Sequence, residues 1–204
     1  MFLAIDGSDL NSMPMLRRSM FVDRADQFVH RHGWPLPLDA GGLEIDEYDG
    51  SGTTYCMMMR EGRHLASVRL RPEAAGSMVE RHFPALWREE FRNGTEITRF
   101  CVSPRVRSDP RSTLVPELLL GLCRHCQRAG IDSVFGVVFP SVLRVIKQAG
   151  WSGSVHAKSE DKRNALLLVE WIPSSIVAWR LQEQIGAREV VPARGTGLRN
   201  VLAA

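Results

Sequence analysis

The sequence lacks the long apolar runs of membrane proteins. Over its 204 residues the longest candidate run is Ile131–Phe139, which Asp132 and Ser133 interrupt. A helix needs about 20 apolar residues to span a bilayer. The first ten residues contain no cationic segment, no long apolar core and no small-residue cleavage site, so they do not predict a signal peptide. We therefore expect a cytoplasmic protein with no membrane contact.

Cysteine is also scarce, with four residues in the chain. Cys123 and Cys126 flank His125 in the sequence CRHC, a spacing that also occurs in metal and redox sites. A zinc site needs about four ligands, usually from a second Cys or His pair, and the chain has no second CxxC. Because the pair lies midway along an amphipathic helical pattern, we interpret both as core residues. A metal or redox role is the alternative; we expect neither a metal nor a cofactor.

Excess charge is small but unevenly distributed. The net charge is +3. Residues 1–100 carry 12 arginines and 15 acidic residues, whereas residues 101–204 carry 14 basic and 8 acidic residues. A basic second half favours an acidic or anionic partner. The excess is too small to indicate nucleic-acid binding.

Hydrophobic periodicity and turn residues predict one domain of helices and strands. The predicted strands are residues 1–5, Thr53–Arg60, Arg63–Leu70, Glu96–Val102, Ile131–Phe139, Ser152–His156 and Ala165–Trp171. The predicted helices are Leu10–His30, Asp109–Arg128, Pro140–Gly150 and Ser174–Gln184. Consecutive strands favour antiparallel pairing and a helix between strands favours a parallel crossover. The expected class is α/β (α+β), a mixed sheet flanked by helices in a single domain over residues 1–204, with a loose tail after about residue 188.

Two groups of residues in the first 50 positions have the types and spacing of a binding site. Arg24 and Phe28 are four residues apart, and therefore on one helix face, with Trp34 just beyond the helix end. A loop then places four carboxylates within six residues: Glu44, Asp46, Glu47 and Asp49. Their spacing does not match an EF-hand loop. A solvated arginine over a core phenylalanine, and a solvated acidic turn, are the alternatives.

A third group lies on two predicted strands. Arg69 is near the end of one strand, and Glu96 and Arg99 are on the next. On a regular strand, Glu96 and Thr98 face one way and Arg99 the other. Because a lone buried charge is costly, we expect these side chains to be paired or functional. An internal ion-pair network is compatible with either outcome.

Together these groups resemble the LuxI-type acyl-homoserine-lactone synthases, the autoinducer synthases. Order and spacing match over residues 16–102, about half of the chain, and the segment SMVERHFPAL is also similar. The matching residues are Arg24, Phe28, Trp34, Glu44, Asp46, Asp49, Arg69, Leu70, Pro72, Glu96, Arg99 and Phe100. The second half is similar in SVFGVVFPSVLRVIKQAGW but departs where many members carry Thr or Ser, at Phe139, Pro140 and Ser141.

The resemblance implies a fold like that of the GNAT acyltransferases, a mixed sheet whose splayed strands hold the pantetheine arm of a thioester. It also implies the reaction. The amine of S-adenosylmethionine attacks an acyl thioester, and its carboxylate then displaces methylthioadenosine to close a lactone. S-adenosylmethionine is a substrate in this scheme, and the acyl donor is an acyl carrier protein or acyl-CoA.

The resemblance further assigns residues to the S-adenosylmethionine side. Glu96 is expected to be the base, acting through a water and with its pKa raised by burial. Arg69 and Arg99 are expected to hold the substrate carboxylate or to brace the acidic loop. Asp46 and Asp49 would hold the cationic end of the substrate or anchor the arginines. The remaining residues assigned to substrate binding are Arg24, Phe28, Trp34, Glu44 and Phe100, with Phe28 and Trp34 walling the adenosyl group.

The acyl side is expected at Phe139, Ser141 and Val142, where Phe139 narrows the pocket or stacks against a branched or aromatic acyl group. Opposite charges steer protein partners together, so basic residues of the second half are expected to dock the acidic carrier protein or the phosphates of acyl-CoA. These residues are Arg144, Lys147, Lys158, Lys162 and Arg163.

Two other functions compete with this one. A GNAT-type N-acyltransferase acting on another amine would share the fold. Such enzymes carry an Arg/Gln-x-x-Gly-x-Gly/Ala segment that binds pyrophosphate, and the junction Val102–Leu114 lacks it. A sensing domain would bind S-adenosylmethionine without consuming it, and would have no need for Glu96 together with the arginine pair.

Overall fold

The computed structural model describes residues 1–106, 112–161 and 165–190, in which seven strands form one mixed sheet in the order β1-β2-β3-β4-β5-β7-β6. The strands are β1 Phe2–Asp6, β2 Thr54–Arg60, β3 Arg63–Pro72, β4 Thr95–Val102, β5 Val134–Val138, β6 Ser154–Lys158 and β7 Leu167–Trp171. The α-helices are α1 Gly7–Leu10, α2 Pro14–Arg24, α3 Met78–His82, α4 Leu114–Ala129, α5 Pro140–Ala149 and α6 Ser175–Val190, with a π-helix at Ala25–Arg31 and 3-10 turns at Glu73–Ala75 and Glu89–Phe91.

The sheet opens between β4 and β5. Strands β1 to β4 pair antiparallel as successive neighbours, and β5, β7 and β6 form a second antiparallel section. The two sections join through a parallel pairing limited to Thr95 with Val134 and Glu96 with Phe135. Beyond these pairs β4 and β5 diverge into a fork. The mixed sheet is as predicted, and the fork supplies the splayed strands.

Gly136 follows directly after the last of these pairs. A Cβ atom at this position would lie 2.3 Å from the carbonyl oxygen of Ile97. Only glycine therefore allows the backbones of β4 and β5 to approach this closely at the start of the fork.

Alternating side chains of the sheet supply two apolar layers. On β2, Cys56 and Met58 pack into the core formed with α4, α5 and α6. Tyr55 and Met57 point the other way, into a cluster with α2. The sheet is therefore covered on both faces, as expected for a mixed sheet flanked by helices.

The first predicted helix, Leu10–His30, is wrong as one continuous helix. Residues Gly7–Leu10 form a separate short helix. Helix α2 begins only at Pro14, because a proline, which has no N–H to donate, suits the first turn of a helix. After Arg24 the helix widens into the π-helix. Gly7 fits because a Cβ atom there would lie 2.0 Å from the Gly50 carbonyl oxygen.

Other boundaries differ by a few residues. Helix α4 begins at Leu114, and the predicted start at Asp109 lies outside the described residues. Glycines end α4 and α5 as predicted, with Gly130 and Gly150 at φ +68° and +115°. Strand β6 runs two residues later than predicted and α6 runs on to Val190. Within the described ranges, no helix is long and apolar enough to cross a membrane.

The CRHC cysteines lie on the core side of α4. Cys123 and Cys126 are both fully buried, and Cys123 Sγ donates to the carbonyl oxygen of Ser174 at 3.6 Å. Burial raises the pKa of the Cys126 thiol to about 12, so it carries no reactive thiolate at neutral pH. Packing accounts for both side chains.

Candidate active site

Three arginines and three carboxylates meet in a buried cluster beside the fork. Its members are Arg24 of α2, Glu44, Asp46 and Asp49 of the loop before β2, Arg69 of β3 and Arg99 of β4. The guanidinium of Arg24 donates to Glu44 Oε2 at 2.5 Å and to both oxygens of Asp49 at 2.8 and 3.0 Å. Arg24 is only 1% exposed and Glu44 is fully buried. Neither charge could therefore be buried without a large cost in stability if the other were absent.

The other two arginines bind the same acidic loop. Arg69 donates to the two oxygens of Asp46 at 2.5 and 3.1 Å, and to the Thr98 hydroxyl at 2.8 Å. Arg99 bridges the loop, donating to Glu44 at 2.9 Å and to Asp46 at 2.7 Å. Both arginines are therefore ion-paired with the acidic loop.

Electrostatics hold the pair of Arg24 and Asp49 in its ionised form. Burial alone would raise the pKa of Asp49, but the adjacent Arg24 and Arg69 outweigh it and hold this pKa well below its usual range. Burial alone would likewise lower the pKa of Arg24, and its two carboxylate partners raise it instead. Arg24 and Asp49 therefore remain charged throughout the neutral range.

A β-bulge directs Arg99 into this cluster. Ser67 faces Cys101 across β3 and β4, and Arg69 faces Thr98, so β4 has one extra residue. Arg99 lies in this bulge and has a φ of +54°, a conformation uncommon for residues other than glycine. Thr98 and Arg99 consequently point to the same side of the sheet, where Arg69 donates to the Thr98 hydroxyl and shares Asp46 with Arg99. The expectation that they face opposite ways was wrong, because regular alternation breaks at the bulge.

Glu96 is buried beneath the start of α3. It is 1% exposed, and its two carboxylate oxygens accept the backbone N–H groups of Met78 and Val79 at 2.9 Å each. Burial raises the pKa of Glu96, and these two hydrogen bonds offset only part of that effect. Glu96 does not line the cavity, although Met78 and Thr98 do. Any exchange of a proton with a bound substrate must therefore pass through an intervening group.

A cavity of about 540 Å³ passes through the fork. Its polar end contains Asp46, Glu47, Tyr48, His82 and Arg99. Its other end lies between the sheet, α4 and α5. The apolar lining there includes Leu119, Leu122, Val134, Val142, Ile146, Trp151 and Trp171. The arrangement suits a substrate with one charged and one apolar part.

An aromatic wall joins the two ends. Phe28 and Trp34 are stacked, with ring centroids 5.0 Å apart and an interplanar angle of 6°. Trp34 also contacts Phe139, at 5.9 Å between centroids. Phe100 lines the cavity as well. The residues expected on the adenosyl side and the bulky residue expected on the acyl side therefore form one continuous surface.

Comparison with known proteins decides the family. The family model described as autoinducer synthase matches residues 8–177. The chain belongs to the autoinducer synthase family. An acyl-homoserine-lactone synthase of Dickeya chrysanthemi is 25% identical over 179 residues, covering 85% of this chain and 81% of the relative.

Solved structures place the synthase among enzymes of the same fold. The CoA-dependent acyl-homoserine lactone synthase BjaI, with SAM and isopentyl-CoA, has a TM-score of 0.79 at 22% identity, covering 91% of this chain and 89% of that one. An acyl-CoA N-acyltransferase from Pseudomonas aeruginosa has a TM-score of 0.58 at 16% identity, covering 85% and 99%. The fold is thus the GNAT-like fold that the sequence predicted.

The residues predicted for the acyl side of the synthase are only partly brought together. Phe139 and Val142 line the cavity. Ser141 does not: it is exposed in the first turn of α5, so its place in the acyl pocket was wrong. The predicted docking residues Arg144, Lys147 and Lys158 are exposed, and Lys162 and Arg163 lie outside the described residues.

Several cavity residues of the synthase were missed from the sequence. Met78 lines the cavity, and its sulfur lies 4.0 Å from Arg69 and 3.8 Å from Arg99. Tyr48 Oη lies 3.2 Å from His82 Nε2 at the polar end. Both Met78 and His82 belong to the segment SMVERHFPAL, whose similarity to the family was the one signal that could have identified them.

Proposed function

We propose that this protein is an acyl-homoserine-lactone synthase that acylates the amine of S-adenosylmethionine from an acyl thioester and then closes the lactone. The observation that carries the proposal is the cavity through the fork, which joins a charged end to an apolar end. Relatives named as acyl-homoserine-lactone synthases, and a similar structure described with SAM and isopentyl-CoA, support it.

The first step forms an amide. The amine nitrogen attacks the thioester carbonyl, the new C–N bond replaces the C–S bond, and the thiol leaves. The α-ammonium of the substrate must first lose a proton, because it has no lone pair for attack. We assign proton removal to Glu96 acting through a water. Two backbone N–H groups hold its carboxylate in place, and burial raises its pKa towards neutral pH, where a general base is most effective.

The second step closes the ring. A carboxylate oxygen of the acylated substrate attacks its γ-carbon, and the bond from that carbon to the sulfonium sulfur breaks, so that neutral methylthioadenosine leaves. Arg99 lines the cavity, whereas Arg24 and Arg69 do not. We therefore assign contact with the substrate carboxylate to Arg99 and bracing of the acidic loop to Arg24 and Arg69. Phe28 and Trp34 offer ring faces to the sulfonium and adenine.

The test is mass spectrometry of the products formed by the purified protein from S-adenosylmethionine and a panel of acyl thioesters. Each acyl group is supplied both as acyl-CoA and on acyl carrier protein. An acyl-homoserine lactone and methylthioadenosine in equal amounts support the proposal. An acylated amine without methylthioadenosine would instead favour an N-acyltransferase, and binding without turnover would favour a sensing domain.

A further inference from the structure

Within the described ranges, His82 is the only histidine that lines the cavity. It ends α3, and its side chain is 48% exposed, so the imidazole can exchange protons with solvent. Histidine is the side chain that changes charge between about pH 5 and 8. The charged residues beside it at the polar end are aspartate, glutamate and arginine, types that ordinarily keep their charge over this interval. The charge of the polar end can therefore change near neutral pH through His82.

Helix α3 brings His82 close to the part of the cavity that holds Arg99. Met78 and His82 are four residues apart on α3, which places them on one helix face with Cβ atoms about 6 Å apart. The Met78 sulfur lies 3.8 Å from Arg99 Nη1, and Arg99 is the arginine assigned to the substrate carboxylate. His82 thus lies about one helical turn from the charged part of a bound substrate.

Three neighbours surround the imidazole. His82 Nε2 lies 3.2 Å from Tyr48 Oη and 3.9 Å from Glu47 Oε1. Burial and the adjacent Glu47 raise the pKa of Tyr48, so this phenol is neutral near pH 7. Arg81 shares the Glu47 carboxylate, at 3.5 Å. Protonation of His82 therefore sets two cations against one carboxylate and adds positive charge at the polar end of the cavity.

The proposed substrate is itself a cation. S-adenosylmethionine with a protonated amine carries a sulfonium, an ammonium and a carboxylate, and so has one net positive charge. Methylthioadenosine, the product that leaves, has no net charge. Like charges repel one another over about 8 Å at physiological ionic strength before salt screens them. A protonated His82 should therefore weaken the binding of S-adenosylmethionine and have little effect on the binding of methylthioadenosine.

We propose that His82 controls the affinity of the site for S-adenosylmethionine through its charge: the neutral imidazole admits the cationic substrate, and the imidazolium repels it. The inference rests on the proposed function, because it requires S-adenosylmethionine to bind at the polar end of this cavity. It adds a binding residue to those that the family resemblance assigned, and it makes substrate affinity depend on pH.

The experiment measures Kd by calorimetry for S-adenosylmethionine and for methylthioadenosine, at two pH values on either side of about 6.5, the ordinary pKa of histidine. On acidification from about pH 7.5 to about pH 5.5, we expect the Kd of S-adenosylmethionine to rise about fivefold or more, the size of effect expected for one pair of like charges near a protein surface. The Kd of methylthioadenosine should change by less than about twofold, because this ligand has no net charge to repel. Its retained affinity also shows that the site stays folded at the lower pH.

Three variants connect the effect to His82. His82→Gln removes the titrating group, so the ratio of the two Kd values for S-adenosylmethionine should fall to about twofold or less. His82→Lys keeps a cation at this position at both pH values, so it should weaken S-adenosylmethionine binding at the higher pH, and by more than it weakens methylthioadenosine binding. His32→Gln is the matched control and should keep the ratio. His32 is also exposed and contacts Trp34, at 6.1 Å between ring centroids, but it does not line the cavity.

The outcomes separate the inference from the proposed function. Equal Kd ratios in the unaltered protein and in His82→Gln overturn the inference and leave the proposed function intact. An equal loss of affinity for methylthioadenosine on acidification, or a ratio that falls only in His32→Gln, also overturns it. If S-adenosylmethionine binds at neither pH, both fail. If the expected ratios are found but no acyl donor yields a lactone, the charge effect of His82 on binding stands and the proposed function fails.

Discussion

Replacing Glu96 by Gln tests both its structural and its chemical role. The carboxylate accepts two backbone N–H groups, from Met78 and Val79, at 2.9 Å each. A glutamine oxygen can accept one of them, but the NH2 group then faces the other. We expect the free energy of unfolding to fall by about 1–2 kcal/mol, because the lost charge-assisted bond outweighs the relief of removing a buried charge. Lactone formation should fall at least a hundredfold, in line with the loss of a general base.

Glu73→Gln is the matched control for this substitution. Glu73 is also a buried carboxylate that accepts a backbone N–H, from Asn93 at 2.7 Å, but Asn93 does not line the cavity, whereas Met78 above Glu96 does. A glutamine oxygen can accept the same hydrogen bond, and the half-exposed ion pair with Arg92, at 4.0 Å, is weak. We expect this variant to lose less than about 1 kcal/mol of stability and to keep near-normal turnover.

Three measurements on both variants complete the experiment: urea denaturation, calorimetric affinity for S-adenosylmethionine, and kcat/KM against pH. A missing base leaves substrate affinity nearly unchanged while turnover falls, whereas a displaced α3 weakens affinity because Met78 lines the cavity. Near-normal turnover by folded Glu96→Gln would refute the assignment of the base. Equal losses of turnover in both variants would show that the loss comes from reduced stability and not from the removal of a base.

Three further predictions concern other charged groups. Arg24→Met should reduce the free energy of unfolding by about 3–5 kcal/mol, since it leaves buried carboxylates unpaired; urea denaturation measures this, and a loss below about 1 kcal/mol would contradict it. Burial lowers the pKa of His64, so below about pH 6.5 the unfolded chain takes up a proton that the folded chain does not. Stability should therefore fall on acidification, and less so in His64→Gln; equal pH slopes would refute this. The double reversal Arg144→Glu and Lys147→Glu should raise KM for carrier-linked donors while leaving the unfolding midpoint unchanged. An unchanged KM would show that these two cations take no part in docking.

Much of the fold could be predicted from the sequence, because the residues that determine its turns and helix ends act locally. The hairpin between β2 and β3 turns at Glu61 and Gly62, both with positive φ, and Pro140 and Gly150 bound α5 as the sequence suggested. The short helix Gly7–Leu10 and the bulge at Arg99 could not be predicted from the sequence. Both depend on tertiary contacts, since Gly7 lies against Gly50 and the bulge brings Arg99 to the acidic loop.

The two ends of the cavity differ in how strongly they constrain the sequence. At the charged end, each arginine satisfies particular carboxylate oxygens at fixed distances, and removing one partner leaves another charge buried. Residue types and spacing must therefore be kept, which is why the match over residues 16–102 could be recognised. At the apolar end, volume matters more than residue type, and exchanges that conserve volume are tolerated. We therefore expect a departure such as Phe139 to leave the reaction intact and to alter which acyl group fits.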